Sequence, residues 1–173
     1  MDVIPVIDLK GGLVVRARQG DRAAYRPIAT PLSPTADPLD VVAGLLSLHP
    51  FRTLYAADLD AIGGEGSSSA TLDRIAQEFP HLRLWIDNGC SDLASAEGML
   101  QRRPSGSLVL GSESQRDTAL VDALRGHERV ILSLDFRGDA FLGPPQLLAN
   151  PELWPARLIV MTLARVGSGA GPD

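Results

Sequence analysis

The chain has 173 residues, 45% of them hydrophobic, 21% charged and 5% aromatic. That is enough for one sizeable core and is a usual composition for a globular domain. Sixteen Lys+Arg against 21 Asp+Glu leave a net charge of −5, so no basic field is present for nucleic acid or an anionic membrane. The lone Cys90 excludes an internal disulfide and a Cys-based zinc cluster. The start, Met1-Asp-Val-Ile-Pro5, lacks the basic segment and apolar stretch of a signal peptide. No run approaches the roughly 18 apolar residues of a bilayer span, and the expectation is a cytoplasmic protein.

In chain order, short apolar and β-branched runs recur at Val3–Leu9, Thr53–Leu59, Leu82–Asp87, Ser107–Leu110, Val130–Phe136 and Leu158–Leu163. Each is mostly continuous in hydrophobicity, as strands buried on both faces of a parallel sheet are. Helical spacing fills Pro38–Leu48, Ala70–Phe79, Asp92–Leu100 and Thr118–Leu124, each opening with a capping or acidic residue. The stretch Gln19–Pro38 carries Pro27, Pro31, Pro34 and Pro38. It reads as a long first strand-to-helix loop, functional or disordered.

An internal repeat sharpens the fold. Val3-Ile-Pro-Val-Ile-Asp-Leu-Lys-Gly-Gly12 lies over Val130-Ile-Leu-Ser-Leu-Asp-Phe-Arg-Gly-Asp139 at an offset of 127 positions (130 − 3). More weakly, Leu54…Leu59…Ile62-Gly63 parallels Leu158…Leu163…Val166-Gly167, which sets Asp58 opposite Thr162. Copies of strands one and two at strands five and six predict an α/β fold, a (β/α)8 TIM barrel of two repeated halves. An open doubly wound sheet is the rival, and it has no reason to repeat after four units. Residues 1–173 then form a single barrel domain covering about six βα units, without the last two. On this reading the chain is a fragment, it has lost a disordered tail, or a partner supplies the missing strands. Bare strand edges are sticky, and a homo-oligomer is one expectation.

Barrel chemistry sits at the C-terminal ends of the strands. Asp8 and Asp135 end strands one and five, on opposite walls of the predicted mouth. There they read as a general acid and base, or each simply caps the following turn. Thr162 ends strand six and offers a hydroxyl. Asp58 and Asp60 precede the Gly63–Gly66 loop, as pocket lining or as helix entry. Asn88-Gly89, Gly111-Ser112 and Gly167-Ser-Gly-Ala-Gly171 are Gly-containing turns whose amides could cradle phosphate, although Asp87 beside the first would repel it. Arg16 and Arg18 flank Gln19-Gly-Asp21 and suit carboxylate or phosphate recognition. His49, His81 and His127 fall before strands, at the other end, and no metal site or cofactor is expected.

Ile4-Pro-Val-Ile-Asp-Leu-Lys-Gly-Gly-Leu-Val-Val-Arg16, Gln19-Gly-Asp21, Leu54-Tyr-Ala-Ala-Asp-Leu-Asp60, Val109-Leu-Gly-Ser112, Ser133-Leu-Asp135 and Thr162…Gly171-Pro172 together resemble the histidine-pathway sugar isomerase family, the HisA/HisF-related barrels. Arg16 with Gln19-Gly-Asp21 is similar to its isomerase branch. The resemblance implies a cofactor-independent Amadori rearrangement of a phosphoribosyl aminoimidazole carboxamide-type aminoaldose to an aminoketose. It makes Asp8 the base at the sugar C2, Asp135 the ring-opening acid and Thr162 an assistant. Arg16, Gln19, Gly20, Asp58, Gly89, Gly111, Ser112 and Gly167 become substrate or phosphate contacts. The chain departs from the family at Asp87-Asn-Gly-Cys-Ser91, at Leu163 and at Arg165-Val-Gly167. Two rivals are therefore a related enzyme acting on another phosphorylated metabolite and a non-catalytic metabolite-binding subunit.

Overall fold

The structure, a computed structural model, describes residues 2–169. Ala170, Gly171 and Pro172, which close the last Gly-rich segment and the last resemblant stretch, lie outside the described residues. The chain divides into two compact units, Met1–Asn88 and Gly89–Asp173, and each is taken by itself.

In unit one, β1 (Val6–Lys10) turns back into β2 (Leu13–Arg16), which is followed by β3 (Arg26–Pro27), α1 (Pro38–Leu48) and β4 (Thr53–Asp58). Then come α2 (Leu59–Ile62), α3 (Ser69–Glu78) and β5 (Arg83–Asp87). The strands lie in the order β3-β2-β1-β4-β5. β1, β4 and β5 are parallel, and β2 returns antiparallel. Ile7, Leu9, Leu54, Ala56, Leu84 and Ile86 are buried on one face, while Tyr55 and Ala57 are buried on the other, so the run in β4 does not alternate. α1 starts where it does because Asp37 accepts the Leu39 N–H at 2.9 Å and Pro38 fills the first turn. Gly44 lets α1 meet the preceding loop, since a Cβ there would stand 2.1 Å from the Leu32 carbonyl oxygen.

Unit two runs α4 (Leu93–Arg102), β6 (Ser107–Gly111), a 3-10 turn at Ser112–Ser114, α5 (Ala119–Leu124) and β7 (Val130–Arg137). It continues with β8 (Ala140–Leu142), α6 (Pro145–Ala149), a second 3-10 turn at Pro151–Leu153 and β9 (Leu158–Thr162). β7 is the central strand. It pairs parallel with β6 and β9 and antiparallel with β8, and its residues Val130–Asp135 are all buried. Asp92 caps α4 through the Ser95 N–H at 2.9 Å. At the other end the Arg129 guanidinium donates to the carbonyls of Leu100, Arg103 and Gly106 at 2.9–3.1 Å. A cation there meets the carbonyls that a helix end leaves unpaired.

The six expected strands and four expected helices are all present within a few residues of their expected bounds. The first strand starts at Val6 rather than Val3, because Pro5 has no N–H to give to a ladder. The return strands β2 and β8, the two-residue β3 and the short α2 and α6 carry no long periodic signal. The Gln19–Pro38 stretch holds a 3-10 turn at Arg22–Ala24 and β3. The Ile28 N–H also reaches back to the Val14 carbonyl at 2.9 Å.

The repeat seen in the sequence recurs as backbone register. β1 and β2 pair Asp8 with Val15, Leu9 with Val14 and Lys10 with Leu13. β7 and β8 pair Asp135 with Leu142, Phe136 with Phe141 and Arg137 with Ala140, the same three pairs shifted by 127. The parallel neighbours agree as well, with Leu9 opposite Asp58 and Phe136 opposite Thr162. Both hairpins close in two residues. Gly11 and Gly12 take φ of 57° and 78°, and Gly138 takes 60° ahead of Asp139. Such left-handed positions match the twist of a tight hairpin and favour glycine.

Candidate active site

Asp8 lies on β1 between the buried Ile7 and Leu9, in register with Val15 and Ala57. Removal from water disfavours its charged form and pushes the carboxyl up to about 6, against the pull of the Arg22 guanidinium. Arg22 arrives on the loop that follows β2. Arg18–Asp21 is a tight turn closed by the Asp21 N–H on the Arg18 carbonyl at 2.9 Å. Gln19 and Gly20 have φ of 51° and 77°, and Gln19 is the only non-glycine with positive φ among the described residues. Lys10 Nζ donates to the Arg22 carbonyl at 3.4 Å. Tyr25 is buried within this loop. Burial and the neighbouring Asp8 charge raise its phenol, while hydrogen bonds from the Arg18 and Gly20 amides lower it. The structure therefore gathers Gln19, Gly20, Arg22 and Tyr25 around the same strand end as Asp8. Arg16 is exposed at the end of β2, opposite Arg26.

Asp58 is 1% exposed and in register with Leu9, on the face away from Asp8. Its carboxylate accepts the N–H groups of Ser68 at 2.7 Å and Ala61 at 3.2 Å, with the Ser67 hydroxyl at 3.4 Å. This is the helix-entry alternative, realised by capping α2 and tying down the Gly63–Gly66 loop. Asp60 reaches the hairpin, accepting the Gly11 N–H at 2.8 Å. Asp87, at the end of β5, accepts the Tyr55 hydroxyl at 3.0 Å.

In unit two Asp135 is 5% exposed. The Ser133 hydroxyl donates to its Oδ1 at 2.6 Å, and the Glu113 N–H donates to Oδ2 at 3.2 Å. The Asp135 N–H in turn donates to Ser112 Oγ at 2.9 Å. Burial raises the carboxyl above the ordinary aspartate range. The Ser133 and Glu113 bonds hold it down, and the Glu113 charge adds to the rise. Ser112 is fully buried and gives its hydroxyl to the Leu142 carbonyl at 2.6 Å, so the 3-10 turn after β6 and the strand β8 brace Asp135 together. Gly111 ends β6, and its carbonyl accepts from the buried Gln115 amide at 3.1 Å. Thr162 is in register with Phe136 while Met161 faces Asp135, so the pairing does not bring the Thr162 hydroxyl to the Asp135 carboxylate. Gly89 and Gly167 adopt φ of 67° and 70° in their turns.

Sequence reasoning passed over Arg22, Tyr25 and Ser133. Ser133 had a signal, standing two positions before Asp135 on one strand and so on one face. Tyr25 and Arg22 sit in an aperiodic loop and had none. Among the described residues no group of three or more His, Cys, Asp or Glu side chains is placed to hold a metal. No helix among them is long and apolar enough to cross a membrane. A carboxyl that titrates near neutrality can both take and give a proton, and Asp8 has that property.

Comparison with known proteins adds an independent line. The family described as "Histidine biosynthesis protein" matches residues 2–152. An uncharacterized protein of Methanocaldococcus jannaschii is 27% identical over 145 residues, 82% of this chain and 59% of that protein. A 1-(5-phosphoribosyl)-5-((5-phosphoribosylamino)methylideneamino)imidazole-4-carboxamide isomerase of Alkalilimnicola ehrlichii is 32% identical over 145 residues, 79% of this chain and 53% of that protein. The isomerase of the same name from Xanthobacter autotrophicus is 34% identical over 138 residues, 78% of this chain and 53% of that protein. The chain spans about half the length of the curated relatives it matches. With parallel strands alternating with helices, its fold class is a partial (β/α)8 barrel of about six βα units. The chain belongs to the histidine biosynthesis protein family.

Proposed function

We propose that the chain acts as a HisA-like aldose–ketose isomerase on a phosphoribosyl aminoimidazole carboxamide-type substrate, with no cofactor. The observation that carries this reading is the shared register of the two hairpins, which sets Asp8 and Asp135 at equivalent positions of β1 and β7. Asp8 takes the proton from the sugar C2, and Asp135 protonates the ring oxygen as the ribose opens. An Amadori rearrangement needs one base and one acid, and burial that lifts both carboxyls suits proton transfer near neutral pH. Thr162 supplies a hydroxyl to the substrate at the end of β9. Arg16, the Gln19–Gly20 turn and Gly167 contact substrate or its phosphates, while Gly111 and Ser112, both buried, back Asp135 instead. Relatives named as imidazole-carboxamide isomerases support the substrate class.

The test is complementation of a bacterial strain lacking the histidine-pathway isomerase. Growth without histidine is expected from the wild-type chain and not from Asp8→Asn or Asp135→Asn. Failure of the wild-type chain, expressed and folded, overturns the reading. A second reading, a related isomerase acting on a different phosphorylated metabolite, is favoured by the carboxylate of Asp87 at the end of β5. Turnover of another sugar phosphate by a chain that fails to complement supports it.

A further inference from the structure

β1 presents a second polar group beside Asp8. Its residues alternate, with Ile7 and Leu9 buried and Val6, Asp8 and Lys10 more open, so Asp8 and Lys10 share a face. Lys10 stands one row nearer the hairpin turn, roughly 6.6 Å further along the strand. Its side chain leans toward the loop after β2, where Nζ donates to the Arg22 carbonyl at 3.4 Å. The guanidinium of the same Arg22 acts on the Asp8 charge, so Lys10, Arg22 and Asp8 gather at one strand end. Lys10 is half-buried and makes no ion pair among the described residues. One N–H of its ammonium is engaged, and an ammonium has three to give.

Composition marks the same residue. Of the 16 Lys+Arg side chains in the chain, Lys10 is the one lysine. At the equivalent position of the second hairpin stands Arg137, exposed and paired with Ala140 as Lys10 is with Leu13. Elsewhere the positive charges are broad planar forks. Here the charge is a compact ammonium on a flexible stem, which meets a phosphate oxygen as a point charge.

We propose that, on the isomerase reading of this strand end, Lys10 binds the phosphate at the C5 end of the sugar whose C2 proton Asp8 takes. In an extended pentose chain the span from C2 to the phosphorus of a 5-phosphate is of the same order as the rise from Asp8 to Lys10. A sugar laid along β1 has its reacting carbon at the first residue and its anion at the second. The ligand class is therefore an open-chain pentose 5-phosphate, and the unphosphorylated sugar lacks the anchor.

The experiment uses the whole chain grown with lysine labelled with carbon-13 at Cε, which gives one side-chain NMR signal because the chain holds one lysine. D-ribose 5-phosphate is expected to shift that signal saturably, and D-ribose to leave it in place. By calorimetry the wild-type chain is expected to bind ribose 5-phosphate about tenfold more tightly than ribose or inorganic phosphate, as one charge-assisted hydrogen bond provides. Lys10→Gln keeps an N–H donor and removes the charge. It is expected to lose about tenfold in ribose 5-phosphate affinity and nothing for ribose. Arg137→Gln makes the same change of net charge in the second hairpin and is expected to alter neither affinity. A lysine signal that ignores ribose 5-phosphate overturns the inference. So does an equal affinity for inorganic phosphate, or a folded Lys10→Gln that binds the sugar phosphate as the wild type does. An intact lysine response in a chain that does not turn over the ribotide defeats the isomerase reading alone. Ribotide turnover whose KM is the same in Lys10→Gln defeats this inference alone.

Discussion

Replacing Asp8 with Asn isolates the cost of burying its charge. The folded carboxyl titrates near 6, against 3.8 for a solvated aspartate. With the folded value above the unfolded one, the native chain binds more protons between the two. Stability is therefore highest at or below about pH 4, falls as pH climbs towards 6, and levels off beyond it. A displacement of about two pH steps corresponds to about 3 kcal/mol. Asn is uncharged throughout and escapes this penalty. Urea unfolding at pH 4 is expected to find the variant and the wild type nearly equal. At pH 8 the variant is expected to be more stable by up to about 3 kcal/mol. The wild-type rate is expected to rise with pH through about 6, and Asp8→Asn to be inactive, so that the residue costs stability and supplies activity. A stability difference that does not change with pH refutes the reasoning.

Four further outcomes follow from the same contacts. Gly143→Ala places a Cβ 2.5 Å from the Ser112 carbonyl oxygen at a φ of 136°. Loss of about 3 kcal/mol in denaturant unfolding is expected, whereas Gly98→Ala, with nothing within 4 Å, is neutral or mildly stabilising. Arg129→Ala leaves the Leu100 and Arg103 carbonyls at the end of α4, and the Gly106 carbonyl of the loop that follows, without this donor. It should cost about 2–3 kcal/mol and speed amide exchange in α4. Ser133→Ala removes the bond that holds the Asp135 carboxyl down, so the Asp135 titration seen by carboxyl NMR moves to higher pH. Tyr25→Phe leaves the Arg18 and Gly20 amides without the phenol oxygen they face, and denaturant unfolding is expected to show a loss of about 1–3 kcal/mol.

The strands were legible because β4, β6 and β7 are buried on both faces and read as unbroken apolar runs. The helices were legible from their caps, with Asp37 and Asp92 each giving an oxygen to an early amide. The repeat was legible because Val, Ile, Asp and Gly coincide at one offset, and the register of two hairpins follows it residue by residue. The roles of the remaining acids were not legible. Asp58 ends its strand and Asp8 stands two residues before the end of its own, both beside apolar residues, and the register separates them, with Asp58 beside Leu9 and Asp8 beside Ala57. The partners of Asp58 are amides ten and three residues ahead, a distance no periodicity encodes. Tyr25 lies in a stretch pinned by backbone bonds to β2 and has no pattern of its own.

A two-residue turn leaves no slack. In both hairpins the acid stands three positions before the turn, and the ladder between is rigid, so covalent geometry alone measures out where each carboxylate stands. Side chains and loops around each hairpin can then change length and chemistry over generations without displacing its carboxylate. Each hairpin is an internal ruler, and the acid three positions before the turn keeps its place as long as the turn keeps its length.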